Sequence, residues 1–170
     1  MQQTPCYVLA LDFGTQSVRA IIVDDSGNII AKGQQAMPPY HSPEPGMAEL
    51  PVSAYWQTLS AACADLWQHS PVAASDIAAV TLTTQRGTMI CLDKDQQPLR
   101  PAILWLDQRS ATVLPRLGSW RSLFWLMGIT AIVERFQRRA PSNWLAEQQP
   151  QLWQQTAHYV LLSGYLTLQL

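Results

Sequence analysis

The chain has 170 residues, of which 48% are hydrophobic and 14% charged, with a formal net charge of −1. That length and balance exclude a disordered chain and allow one domain with a real core. The near-zero charge removes the electrostatic case for nucleic acid or an anionic membrane as partner, so neither is expected.

Tyr7 to Leu11 reads as a buried strand, Val18 to Val23 as a second and Ile29 to Ala36 as a third. The turn Asp24-Asp25-Ser26-Gly27-Asn28 joins the last two, with Gly27 free to take positive φ, so the stretch is an antiparallel meander. Residues 38 to 51 hold five of the twelve prolines and read as a loop, with Pro51 suited to the first position of a helix. Tyr55, Leu59, Ala62, Cys63 and Leu66 then recur at helical spacing, predicting an amphipathic helix over 52–69.

Ile77 to Thr83 is a strand. Met89 to Leu92 and Ala102 to Leu106 read as a strand pair flanking the polar turn Asp93 to Gln97. Gln108 to Leu117 is expected to be helical, followed by helices over 119–127 and 130–137 broken at Gly128. Ser142 reads as the cap of a helix through Glu147, residues 151–156 as a helical turn, and Tyr159 to Leu162 as a strand. Strands interleaved with helices in this way give an α/β class with a mixed sheet.

Cys6, Cys63 and Cys91 are far apart and lack metal-ligand spacing, so neither a disulfide framework nor a zinc site is expected, and a cytoplasmic location fits. No basic stretch precedes an early apolar run, and Asp12 interrupts the only such run, so a signal peptide is not expected. Four of the seven tryptophans fall at 120, 125, 144 and 153, more apolar surface than a chain of this size readily covers.

The first turn carries the clearest chemistry. Asp12 ends the first strand. Gly14 permits close backbone approach, and Thr15, Gln16 and Ser17 offer N–H groups and side-chain donors suited to phosphate oxygens. A carboxylate beside phosphate needs a cation between them. Asp12 therefore implies a divalent metal, most simply Mg2+, held partly through water. Arg19 adds positive charge if its strand points it inward. An ordinary hairpin that satisfies its own turn is the alternative. No GxxxxGK[ST] occurs, which excludes a P-loop.

Asp12-Phe13-Gly14-Thr15-Gln16-Ser17 between two strands resembles the first phosphate loop of the actin-like ATPase superfamily, whose domains are ribonuclease H-like. Two further stretches, Thr83-Thr84-Gln85-Arg86-Gly87-Thr88 and Pro101 to Arg109, narrow it. In that order and at those separations the three resemble the N-terminal domain of the FGGY carbohydrate kinases, which include glycerol kinase and xylulokinase. The likeness runs over essentially all 170 residues.

What the resemblance implies is ATP- and Mg2+-dependent transfer of a phosphoryl group to a sugar or polyol hydroxyl. The phosphate loop would be Asp12, Gly14, Thr15, Gln16, Ser17 and Arg19. The acceptor site would take in Gln85, Arg86, Trp105, Asp107 and Phe136. A core role for Trp105, and for Asp107 a pairing with Arg109 or a helix cap, stay open. Glycerol kinase has a glutamate where this chain has Gly87, and xylulokinase has a nearby histidine with no counterpart here, so the motif favours neither substrate. The basic group Arg135, Arg138 and Arg139 reads as a solvated helix face.

No residue matches the family's catalytic aspartate, which is expected beyond Leu170. The chain is therefore expected to be the N-terminal, sugar-binding domain (1–170) of a longer kinase, inactive without its ATP-binding C-terminal domain. Apolar surface left uncovered by that domain could drive a homodimer. The alternative is a non-catalytic sugar-binding or protein-interaction module of the same fold.

Overall fold

The computed structural model describes residues 6–170. Three strands open it: β1 (Tyr7–Phe13), β2 (Ser17–Val23) and β3 (Ile29–Ala36). β1 pairs antiparallel with β2, placing Asp12 opposite Arg19, and β2 pairs antiparallel with β3. The expected meander is thus present. Gly27 adopts φ +81°, and Asp24 caps its turn by accepting from the Ser26 and Asn28 N–H groups.

The proline-rich loop ends at β4 (Glu49–Leu50) and leads into helix α1 (Val52–His69). Pro51 sits one residue before the helix, at its cap, where its missing N–H costs nothing. α1 lays Tyr55, Leu59, Ala62 and Leu66 against β2 and β3. It comes so near that a Cβ on Gly33 would lie 2.1 Å from the Ala62 carbonyl oxygen. Glycine is needed there because the helix backbone fills the space a side chain would take.

A 3-10 turn at Ala74–Asp76 leads into β5 (Ile77–Thr84), which runs parallel to β1 after the α1 crossover. The first sheet therefore has the order β3-β2-β1-β5 and is mixed. Phe13, Val18, Ala20 and Ile22 form its buried face under α1.

The second sheet joins β4, β6 (Met89–Leu92), β7 (Ala102–Ile103) and β8 (His158–Leu161) in the order β4-β7-β6-β8. The expected hairpin of residues 89–92 with 102–106 is reduced to one pair, Met89 with Ile103, and the main partner of β6 is β8. The last strand lies far along the chain, so the pairing carries no local signal.

The helices are α2 (Trp120–Leu126), α3 (Thr130–Arg139), α4 (Pro141–Gln148), α5 (Pro150–Gln155) and α6 (Leu162–Gln169). Gly128 breaks α2 from α3 at φ +68°. Two expectations fail. Residues 108–117 form no helix. Their backbone donors go elsewhere: Ala111 N–H to the Arg138 carbonyl, and Thr112 and Val113 N–H to the Glu147 carboxylate. Pro115 offers no donor at all. Ser142 does not cap α4, because the helix begins one residue earlier at Pro141, which suits the first helical position. Among the described residues, no helix is long and apolar enough to cross a membrane.

Candidate functional site

β1 and β5 end side by side, with Asp12 opposite Thr83 and Phe13 opposite Thr84. The turns that follow them meet. The Gln85 N–H donates to the Phe13 carbonyl, tying the two turns together. The Thr15 hydroxyl donates to Gln85 Oε1 at 2.9 Å and accepts from Trp105 Nε1 at 3.2 Å. Gln85 Nε2 points the other way, toward the Thr88 hydroxyl at 3.3 Å and the Tyr55 phenol at 3.5 Å. Three residues from three separate motifs thus share one polar cluster.

Around that cluster lies a cavity of about 300 Å3 lined by Thr15, Gln16, Tyr40, Tyr55, Gln85 and Trp105, with apolar walls from the proline-rich loop and Leu104. A few donors and acceptors set in apolar walls are the usual make-up of a small-ligand site. Tyr55 is a lining residue that sequence reasoning missed. Its helical spacing marked it as core, and at 1% exposure it is core, yet its hydroxyl reaches Gln85. The signal was the residue type, since a buried phenol needs a hydrogen-bond partner. Burial pushes its pKa up to about 12, so Tyr55 stays neutral.

Gly87, at φ +84°, lies beneath Trp105: a Cβ there would sit 3.2 Å from the Trp105 Cβ. The glycine lets the indole lean on the 85–88 turn and reach Thr15. Trp105 itself is 52% exposed, which rules out the core role.

The first turn divides into two groups. Asp12 Oδ2 accepts from Arg19 Nη1 at 2.9 Å, so these two cross-strand partners share one face of the sheet. The other Asp12 oxygen accepts no hydrogen bond among the described residues. Gly14 N–H is consumed by the Ser17 carbonyl at 3.0 Å, and the Ser17 hydroxyl is buried and accepts from Gln34 Nε2 at 3.2 Å. The hairpin itself therefore uses Gly14 and Ser17, while Thr15 and Gln16 face the cavity.

The remaining sequence candidates scatter. Arg86 is exposed and forms no ion pair among the described residues. Phe136 is 73% exposed on α3 and lies outside the cavity lining. Asp107 is committed to structure: its oxygens accept from Arg109 Nε and Nη2 at 2.7 Å each, and from Ala48 N–H at 2.7 Å. Burial works to raise its pKa, and the Arg109 hydrogen bonds with the Ala48 N–H outweigh that and lower it. Of the open roles for Asp107, the geometry assigns the pairing with Arg109. Glu49 extends the network, accepting from Arg109 Nη2 at 2.8 Å and from Arg100. Trp144 lies under both guanidinium groups, 4.5 Å from Arg109 and 5.8 Å from Arg100.

Comparison with known proteins decides the lineage. The FGGY family of carbohydrate kinases, N-terminal domain, matches residues 7–170. The chain belongs to the FGGY family. A glycerol kinase of Thermococcus gammatolerans is 40% identical over 111 residues, which cover 65% of this chain and 22% of that protein. A glycerol kinase of Ralstonia nicotianae is 37% identical over 112 residues with the same coverage. Among solved structures, a kinase of Brucella ovis described as a xyloylose kinase superposes with TM-score 0.78 at 24% identity, over 95% of this chain and 34% of that one. The xylulose kinase of Lactobacillus acidophilus superposes with TM-score 0.74 at 20% identity, over 97% and 33%. At such identities these structures establish the shared actin-like fold. The FGGY chain thus spans about a fifth of the sequence relatives it matches and a third of the structural ones.

Proposed function

We propose that this FGGY chain is the acceptor-binding part (1–170) of an ATP-dependent carbohydrate kinase, which phosphorylates a hydroxyl of a sugar or polyol. The observation that carries the reading is the Thr15–Gln85–Trp105 cluster, which gathers the three family motifs around one cavity. Glycerol kinases among its sequence relatives support the reaction class.

The residues divide the work. Thr15, Gln85 and Tyr55 supply hydroxyl and amide groups that exchange hydrogen bonds with acceptor hydroxyls, and the Trp105 face packs on the carbon skeleton. Thr15 and Gln16 also face the position of the transferring phosphate, at the end of β1. Asp12 keeps one oxygen open beside Arg19, which fits a Mg2+ held by a single carboxylate, water and phosphate. That ion would neutralise charge on the phosphates. Arg19 holds the Asp12 carboxylate in place and adds a cation beside the phosphate position.

Neither Asp12 nor Asp107 is assigned as the base that takes the acceptor's proton: the open Asp12 oxygen is given to the metal, and the Asp107 carboxylate is taken up by Arg109 and the Ala48 N–H. The chain by itself is therefore expected to bind acceptor without turning it over. A thermal-shift screen against pentoses, hexoses, pentitols and glycerol, with and without Mg-ATP, tests binding, because a ligand of the folded state raises the Tm. A coupled kinase assay tests turnover. A Tm rise with at least one compound and no sugar-dependent turnover is the expected pair of results. No rise with any compound would contradict the reading.

A further inference from the structure

The net charge of −1 hides an uneven distribution. Residues 112–139 carry Arg116, Arg121, Arg135, Arg138 and Arg139 against Glu134 alone, a local charge of +4 that leaves −5 on the rest of the chain. All five arginines are exposed, and none forms an ion pair among the described residues. The same stretch builds α2 and α3. Neither helix has a buried residue, although α2 reads Trp-Arg-Ser-Leu-Phe-Trp-Leu. Trp125 and Leu126 are each 76% exposed, and Trp120, Leu123, Met127, Ile132 and Phe136 are exposed as well. A contiguous apolar surface of this kind marks a contact site.

The two kinds of side chain are ordered along the helices. Trp125, Leu126 and Met127 lie at the joint, where Gly128 turns α2 into α3. The arginines lie toward the outer ends: Arg121 in the first turn of α2, and Arg135, Arg138 and Arg139 in the second half of α3. At about 1.5 Å of rise per residue, Leu126 lies about 8 Å along α2 from Arg121. Ile132, Arg135, Phe136 and Arg139 recur at helical spacing, so one stripe of α3 carries apolar and cationic side chains together. An apolar joint with guanidinium groups a turn or two behind it suits the boundary between lipid acyl chains and headgroups. Arg121 and Trp125 also wall a cavity of about 450 Å3 with Ser122 and Thr130, which sets a cation and two hydroxyls beside an apolar wall.

We propose that the α2–α3 surface is a peripheral docking site for an anionic phospholipid membrane. The apolar joint enters the outer acyl region, and the arginines take up lipid phosphates. Charge complementarity selects this occupant. A second copy docked through the same face by a two-fold axis would set +4 against +4. Single-stranded nucleic acid would stack on the tryptophans and leave Leu123, Leu126, Met127 and Ile132 exposed without a role. A lipid surface uses the arginines, the tryptophans and the aliphatic side chains at once. The docking is independent of the acceptor reading of the Thr15–Gln85 cavity.

Co-sedimentation of the 170-residue chain compares phosphatidylcholine vesicles with vesicles that also contain phosphatidylglycerol. The anionic vesicles are expected to bind at least about tenfold more tightly, and high salt is expected to shrink the difference. Arg135→Gln, Arg138→Gln and Arg139→Gln together should weaken anionic binding by about tenfold or more, and Trp125→Ala with Leu126→Ala by about tenfold. All five positions are exposed, so neither set threatens the fold. Lipids brominated in the acyl chain should quench the tryptophan fluorescence of the wild type, and quench Trp125→Phe less. Equal binding to both kinds of vesicle, anionic binding that survives both sets of substitutions, or no vesicle binding at all overturns the proposal. Self-association without vesicle binding, abolished by Trp125→Ala with Leu126→Ala in sedimentation velocity, overturns it in favour of a second copy. Arginine-dependent binding of oligouridylate without vesicle binding overturns it in favour of nucleic acid.

Discussion

Trp105 Nε1 donates to the Thr15 hydroxyl across 90 residues of sequence, and that hydroxyl passes its own hydrogen to Gln85. One exposed threonine thereby joins the end of β1, the end of β5 and the segment after β7. The link belongs to the site more than to the core, and binding should be far more sensitive to its loss than stability.

Thr15→Val keeps the shape and removes the hydroxyl. Affinity for the best polyol in a ligand screen should fall by about tenfold, the scale of one to two net hydrogen bonds. Stability should change by no more than about 0.5 kcal/mol, as for other exposed positions. Parallel titration and urea unfolding check the two halves. A large loss of stability with unchanged affinity would place Thr15 in the scaffold.

Gly33 behaves in the opposite way. An added Cβ would meet the Ala62 oxygen at 2.1 Å and the Leu66 nitrogen at 2.4 Å, both backbone atoms that cannot rotate aside. Gly33→Ala should destabilise the chain by about 1–3 kcal/mol or more by prising α1 from β3. Urea midpoints read this directly, and a change below about 0.5 kcal/mol would mean that the helix shifts without cost.

The buried network of Arg109, Asp107, Glu49 and Arg100 pins the 107–109 segment to β4. Asp107→Ala strands the Arg109 guanidinium without its main counter-charge and should cost about 3–5 kcal/mol. Because the folded state holds Asp107 below its ordinary pKa, its contribution is present above about pH 4 and is lost as pH falls through the lowered value. Acid unfolding of wild type against Asp107→Asn checks the sign: the variant should lose less of its stability on acidification.

Alkaline pH tests the tyrosines. Burial raises Tyr55 to about 12 and pushes Tyr159 up as well, so the unfolded chain deprotonates first. Their contribution is intact below pH 10 and disappears as pH rises toward the folded values. Denaturant midpoints measured from pH 8 to 11 should therefore decline above pH 10. Tyr55→Phe should flatten part of that decline.

The opening meander and α1 were legible in the sequence because each rests on local chemistry: alternating apolar residues, the Asp24–Asn28 turn, and the spacing from Tyr55 to Leu66. Residues 108–117 were not, because Glu147 and Arg138 claim their backbone from distant helices. The pairing of β6 with β8 failed to show for the same reason. At the site, Thr15, Gln85 and Trp105 were named from motif resemblance, and no spacing rule brings them together. Asp107 showed its competing partner two residues on, while the hydrogen bonds from Arg109 and the distant Ala48 N–H decided between the roles. Gly87 read only as a missing acid. Its positive φ and its contact beneath Trp105 emerge only when the two turns are seen together.

Titration of the chain and its Gln85→Ala variant with the best polyol from a ligand screen tests the central claim most directly. Gln85 touches Thr15, Thr88 and Tyr55 at once, which makes it the hub of the cluster around the proposed acceptor cavity. Saturable binding by the wild type, lost by at least about tenfold in a folded Gln85→Ala chain, is the predicted result. Undiminished binding by the variant would place the acceptor elsewhere and contradict the account.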